Sequence, residues 1–103
     1  MKIYISGAIT NTDDHDIRFK RAEQELIDQG HTPFNPERIG TVVQNAMHWR
    51  MEYEDFMTLD EIFLRQADAI YMLKGYENSD GARRELRLAV MLGKTVMYEE
   101  KLS

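Results

Sequence analysis

Hydrophobic and polar residues along this chain change period several times, and the changes mark its elements. "KIYISGAI" alternates β-branched and aromatic residues and ends at Ser-Gly, which predicts a first strand and a tight turn. From Asp14 to Gln29, Ile17, Ala22, Leu26 and Ile27 suit an amphipathic helix that Gly30 ends. "HTPFNP" predicts a short extended segment, because each proline biases its predecessor away from helix. "ERIGTVVQNAM" has no clear period and is read as a loop with a broken helical turn. A long helix follows, from His48 to Gln66. "ADAIYMLKGY" is a nearly continuous apolar run, the pattern of a strand covered on both faces. The middle of "ENSDGARRELRLAVMLGKTV" (Glu77 to Val96) predicts the last helix, and "KTVMYEE" a final strand. Strands alternating with helices predict a parallel sheet with right-handed crossovers and helices on both faces. Ligands in such folds bind beyond the carboxyl ends of the strands, where strand order reverses.

Two carboxylates interrupt this pattern. On a helical wheel the last helix gathers Ala82, Leu86, Ala89, Val90 and Leu92 on one side and Arg83, Arg84 and Arg87 on the other. Glu85 falls inside the apolar arc. The long helix gathers Trp49, Phe56, Leu59, Ile62, Phe63 and Ala67, with Asp60 among them. Either carboxylate alone fits an arc edge that reaches water or a basic partner. Together they fit a pair enclosed in one cleft, the arrangement that performs glycosyl transfer. Burial raises a carboxyl pKa and lets one member stay protonated as an acid.

Composition narrows the class. The chain has 103 residues, which predicts one domain spanning 1–103. A net charge of −5 argues against a nucleic-acid polymer as partner, while leaving room for a small anion at a local site. With no cysteine there is no disulfide framework and no thiol nucleophile. The start "MKIYISG" has no signal-peptide pattern, and no apolar run approaches the ~20 residues of a membrane span. A cytoplasmic protein without membrane contact is the expectation. His15, His31 and His48 share no metal-ligand spacing, so no metal and no other cofactor is expected.

Smaller features surround the carboxylates. Ser79 is a plausible N-cap, and with Gly81 it would leave an anion room at the start of the last helix. A cap and a turn account for both residues equally well. "SGAITN" offers Gly7 and Ala8 as a backbone cradle after the first strand. Trp49, Tyr53, Phe56 and Asp60 recur at helical spacing, as core, as a dimer face or as a base-stacking stripe, and Tyr76 is a more exposed stacking candidate.

"SDGARRE" has the spacing Ser-x-Gly-x-x-x-Glu before an apolar helix and "GKTV". It resembles the nucleoside 2-deoxyribosyltransferase superfamily, especially its 2′-deoxynucleoside 5′-phosphate N-hydrolase branch. "LDEIFLRQADAIYML" resembles the family's segment before the third strand, with Asp60 and Asp68 eight residues apart, and "YISGAI" resembles the end of its first strand. Across nearly its whole length the chain is most similar to the group called domain of unknown function 4406, often of phage or prophage origin. The resemblance implies an α/β fold, a compact Rossmann-like or flavodoxin-like three-layer sandwich with about four parallel strands. It implies Glu85 as the nucleophile at C1′ of deoxyribose and Asp60 as the aid to protonation of the leaving base. Gly7, Ala8, Ser79, Gly81 and Tyr76 would bind substrate, with Ser79 on a 5′-phosphate. The hydrolase branch has Gly-Ser-Ile-Arg where this chain has Gly7-Ala8-Ile9-Thr10, which leaves Arg18, Arg83 or Arg84 to supply the missing charge.

The function so implied is an N-glycosidase-type enzyme that cleaves or exchanges the base of a deoxynucleoside or its 5′-monophosphate. The alternative is a nucleotide-binding module that keeps the fold without turnover. The long helix carries more large apolar residues than one sheet face needs, so a homo-oligomer is expected, a dimer first, joined around Tyr53, Met57 and Leu64. The family resemblance implies the same, since its members form dimers or larger assemblies.

Overall fold

In a computed structural model, which describes residues 1–9 and 13–99, four strands form one parallel sheet. Strand β1 (Lys2–Ser6) leads through helix α1 (His15–Asp28) to β2 (Thr32–Phe34). Helices α2 (Pro36–Met47) and α3 (Tyr53–Gln66) return the chain to β3 (Ala69–Met72). A short 3-10 turn (Tyr76–Asn78) and helix α4 (Asp80–Met91) then lead to β4 (Thr95–Tyr98). The strand order is β2-β1-β3-β4, so the chain reverses direction across the sheet between β1 and β3. Among the described residues no helix is long and apolar enough to cross a membrane.

The central strands divide two cores between the faces of the sheet. Ile3 and Ile5 of β1 pack with Phe19, Ala22 and Leu26 of α1. Tyr4, alternating with them, belongs to the second core with Leu64 and Ala67 at the end of α3 and Ala82 and Ala89 of α4. Side chains two apart on a strand share a face, so Ser6 follows Tyr4 toward α3 and α4. Helix α1 buries Phe19, Ala22 and Leu26, while the expected Ile17 and Ile27 stand exposed. Phe19 sits i−3 and i−7 from the other two, which makes the tighter stripe.

Two expectations for the middle of the chain are corrected. "ERIGTVVQNAM" belongs to a full helix of twelve residues, α2, started by Pro36 at its first position and capped by the Asn35 side chain, which accepts from the Glu37 N–H at 3.1 Å. Gly40 lies mid-helix because Phe56 of α3 crosses there: a Cβ at Gly40 would sit 3.0 Å from Phe56 Cε1. The long helix does not begin at His48, which is the left-handed C-cap of α2 at φ 51°. It begins at Tyr53, behind a reciprocal capping box of Glu52 and Asp55. Trp49 therefore lies in the connection, half exposed, and is no part of the helical stripe.

Helix α3 turns part of its apolar width inward and leaves Tyr53 and Ile62 exposed. Leu64 is fully buried in the second core and Met57 is also buried, so neither is available to meet a second copy as expected. Of the three residues named for that contact, Tyr53 alone is exposed, at 54%.

Candidate active site

Helices α3 and α4 present matching inward stripes. On α3 the line runs through buried Met57, half-buried Asp60 and buried Leu64, and on α4 through buried Ala82, Glu85 and Ala89. Both lines follow i, i+3, i+7, so each carboxylate sits at the centre of the stripe and not at its edge. Val90 and Leu92, assigned by the wheel to the apolar arc of α4, are exposed, and the burial they were expected to supply falls on Glu85.

Glu85 is 8% exposed and held at both oxygens. The Tyr4 hydroxyl donates to Oε2 at 2.5 Å and the Ser6 hydroxyl to Oε1 at 2.7 Å. Burial pushes the Glu85 carboxyl from 4.5 to about 7, against the hydrogen bonds of Tyr4 and Ser6 and the nearby charge of Arg84, which favour the anion. Burial, and then the charge of Glu85, raise Tyr4 well above the ordinary tyrosine value, so it remains a protonated donor. Asp60 rises from 3.8 to about 7, first by burial and then by the charge of Glu85, with Tyr4 offsetting part of the rise. Its Oδ1 is buried without a hydrogen-bond partner. Buried polar atoms are usually hydrogen-bonded, so this oxygen is placed to bond a polar group entering the cavity.

Asp60 and Glu85 line the same cavity of about 740 Å³, within the range of small-molecule sites. It lies beyond the carboxyl end of β1, beside the reversal of strand order, where folds of this type place ligands. Gly7, Ser79 and Gly81 also line it. Ser79 caps α4, accepting from the Ala82 N–H at 3.1 Å. A Cβ at Gly7 would approach Leu73 Cβ to 2.9 Å, so the turn needs glycine for the packing of the exit from β3 as well as for access to the cleft.

Two expected wall residues lie elsewhere. Ala8 is buried and does not line the cleft. Tyr76 opens the 3-10 turn after Gly75, whose left-handed φ of 86° turns the chain back toward β4. Its ring meets Tyr98 with centroids 5.9 Å apart, away from the carboxylates. The three arginines named as substitutes for a missing phosphate ligand do not line the cleft and are engaged by other groups. Arg18 donates to the Lys74 carbonyl at 2.5 Å, and Arg84 to Glu54 at 2.9 and 3.3 Å. Arg83 binds Asp80 and the Glu77 carbonyl. Thr10, which stands at the position of the family's arginine, lies outside the described residues.

Sequence reasoning missed Tyr4 and Ser6, the two groups that hold Glu85. It also missed the opposite wall, where His15 Nδ1 meets Glu37 Oε1 and where Gly40, Gln44 and Phe56 line the cleft. The one signal for the first pair was a Tyr and a Ser two apart in an otherwise apolar strand.

Comparison with known proteins bears on the fold. The family model described as "Domain of unknown function (DUF4406)" matches residues 1–98. No curated protein matches the chain. Among solved structures, a 2-deoxyribosyltransferase from the psychrotolerant bacterium Bacillus psychrosaccharolyticus, described as a biocatalyst for nucleoside synthesis, is similar with a TM-score of 0.70 and 26% identity. The match covers 100% of this chain and 77% of that one. With a family match over residues 1–98 and this likeness over its full length, the chain belongs to the DUF4406 family, within the nucleoside 2-deoxyribosyltransferase-like superfamily.

Proposed function

We propose that the chain is an N-glycosidase-type enzyme that cleaves or exchanges the base of a deoxynucleoside through Glu85. The observation that carries this is the pairing of a buried, doubly hydrogen-bonded Glu85 with an Asp60 whose buried oxygen lacks a partner, both on one cavity. The ionised Glu85 attacks C1′ and forms an ester to the sugar while the C1′–N bond breaks. The bonding pair goes to the base nitrogen, and protonated Asp60 supplies the proton that lets a neutral base leave. Water, or a second base, then attacks C1′ and frees Glu85. Tyr4 and Ser6 fix the attacking oxygens and keep part of the Glu85 population ionised.

The 5′ end of the substrate is unphosphorylated in this reading. Arg18, Arg83 and Arg84 are each engaged by protein groups, Arg83 by Asp80 itself at the start of α4, so none of the three is left to bind a phosphate. The test is release of free base from a panel of 2′-deoxynucleosides and their 5′-monophosphates. Release from the nucleosides, lost in Glu85→Ala, supports the proposal. An unaltered panel together with measurable binding would make the chain a non-catalytic nucleotide-binding module instead.

A further inference from the structure

Acidic side chains outnumber basic ones on the walls of the cleft. Asp16 of α1, Glu37 of α2, Asp60 of α3, and Asp80 and Glu85 of α4 all line it, with Asp80 ion-paired to Arg83 and with Asp60 and Glu85 each raised to about 7. Among the described residues no lysine or arginine does. His15 is the one basic-type side chain there, and it faces Glu37. These carboxylates are spread over four helices and do not converge: among the described residues no three His, Cys, Asp or Glu side chains are placed to hold a metal ion. The aromatic residues Tyr53 and Phe56 line the same space. Dispersed negative charge with aromatic rings complements a delocalised, planar cation better than it does a point charge or an anion.

We propose that the preferred substrate is a nucleoside whose base carries a positive charge, an N-quaternised or N-alkylated heteroaromatic base. The cleavage step of this inference rests on the N-glycosidase reading, while the charge preference does not. With a cationic base, Glu85 forms its bond to C1′ as the C1′–N bond breaks, and the released electron pair cancels the charge of the ring. The base departs neutral and takes up no proton. Asp60 is then needed as an anion that attracts the substrate, and not as a proton donor.

Two isomers separate charge from shape: 3-methyl-2′-deoxycytidine is cationic at pH 7, and 5-methyl-2′-deoxycytidine is neutral. Titration calorimetry on Glu85→Gln, which consumes no ligand, should show the cationic isomer binding about tenfold tighter, equivalent to ~1.4 kcal/mol. Adding Asp16→Asn and Glu37→Gln should reduce that preference to about threefold or less, as should high salt. In the enzyme with Glu85 intact, Asp60→Asn should cut turnover of the neutral isomer at least 100-fold, the scale of a lost general acid, and that of the cationic isomer no more than about tenfold. Equal affinity for the two isomers overturns the inference, whether or not bases are released. A tenfold preference without turnover of either isomer leaves the charge selection standing and overturns the glycosidase reading.

Discussion

Replacing Glu85 by glutamine removes a charge from the interior and keeps the shape, so its effect on stability follows from the burial already described. In the folded chain the Glu85 carboxyl titrates at about 7 against 4.5 when unperturbed. A carboxyl whose folded pKa is raised binds more protons folded than unfolded in the interval between the two values. Its stabilising contribution is therefore complete below the unfolded value and is lost as pH rises through 7. At about 1.4 kcal/mol per pKa unit, the rise is worth about 3 kcal/mol between acid and alkaline conditions. Asp60 follows the same sign, and part of its rise comes from the charge of Glu85, so the substitution relaxes both groups. The glutamine oxygen still accepts from Tyr4 or Ser6. Urea denaturation of Glu85→Gln and the wild-type chain should give nearly equal stabilities at pH 4, with the variant about 3 kcal/mol the more stable at pH 8. Parallel pH profiles for the two proteins would refute the claim that Glu85 is ionised at a cost inside the fold.

Other consequences follow from the same geometry. With Asp60 and Glu85 both near 7, the pair holds one proton around neutrality, so base release from a neutral nucleoside should follow a bell-shaped pH profile. A flat profile from pH 5 to 9 would remove the acid–nucleophile assignment. Tyr4→Phe deletes the donor to Glu85 Oε2; the acid limb should move to higher pH and kcat should fall at least tenfold in steady-state assays, with about 1 kcal/mol lost from stability. Gly7→Ala forces a methyl to within 2.9 Å of Leu73 Cβ and should lower stability by about 1–3 kcal/mol in thermal or urea unfolding.

Elements with a clean period were legible in the sequence, and those that begin with an unusual residue were not. The continuous apolar run of β3 and the alternation in β1 announced buried strands, and the alternation of elements announced the parallel sheet. Helix α2 escaped because Pro36, Gly40 and the Thr41-Val42-Val43 run each weaken a helix taken singly. In the fold Pro36 needs no N–H at the first position, and Gly40 admits Phe56. The start of α3 was misplaced because its capping box uses Glu52 and Asp55 in place of the common hydroxyl cap. The carboxylates were visible because a charge on an apolar helical face stands out against its neighbours. Tyr4 and Ser6 were not, because in a strand buried on both faces an inward hydroxyl looks like core. Their partner lies 81 and 79 residues away, respectively, and only the register of the sheet brings it to them. The arginines misled for a related reason: a charge can be counted along the chain, but its partner carbonyl or carboxylate appears only in the fold.

The most direct test of the central claim is a search for the covalent intermediate on Glu85. The chain would be mixed with a 2′-deoxynucleoside, quenched in acid within the first turnover, digested and measured by peptide mass spectrometry. The account predicts one deoxyribosyl unit on the peptide that contains Glu85, absent from Glu85→Gln and removed when an acceptor base is added before the quench. Base release with no adduct on that peptide, or with the same adduct in Glu85→Gln, would contradict it.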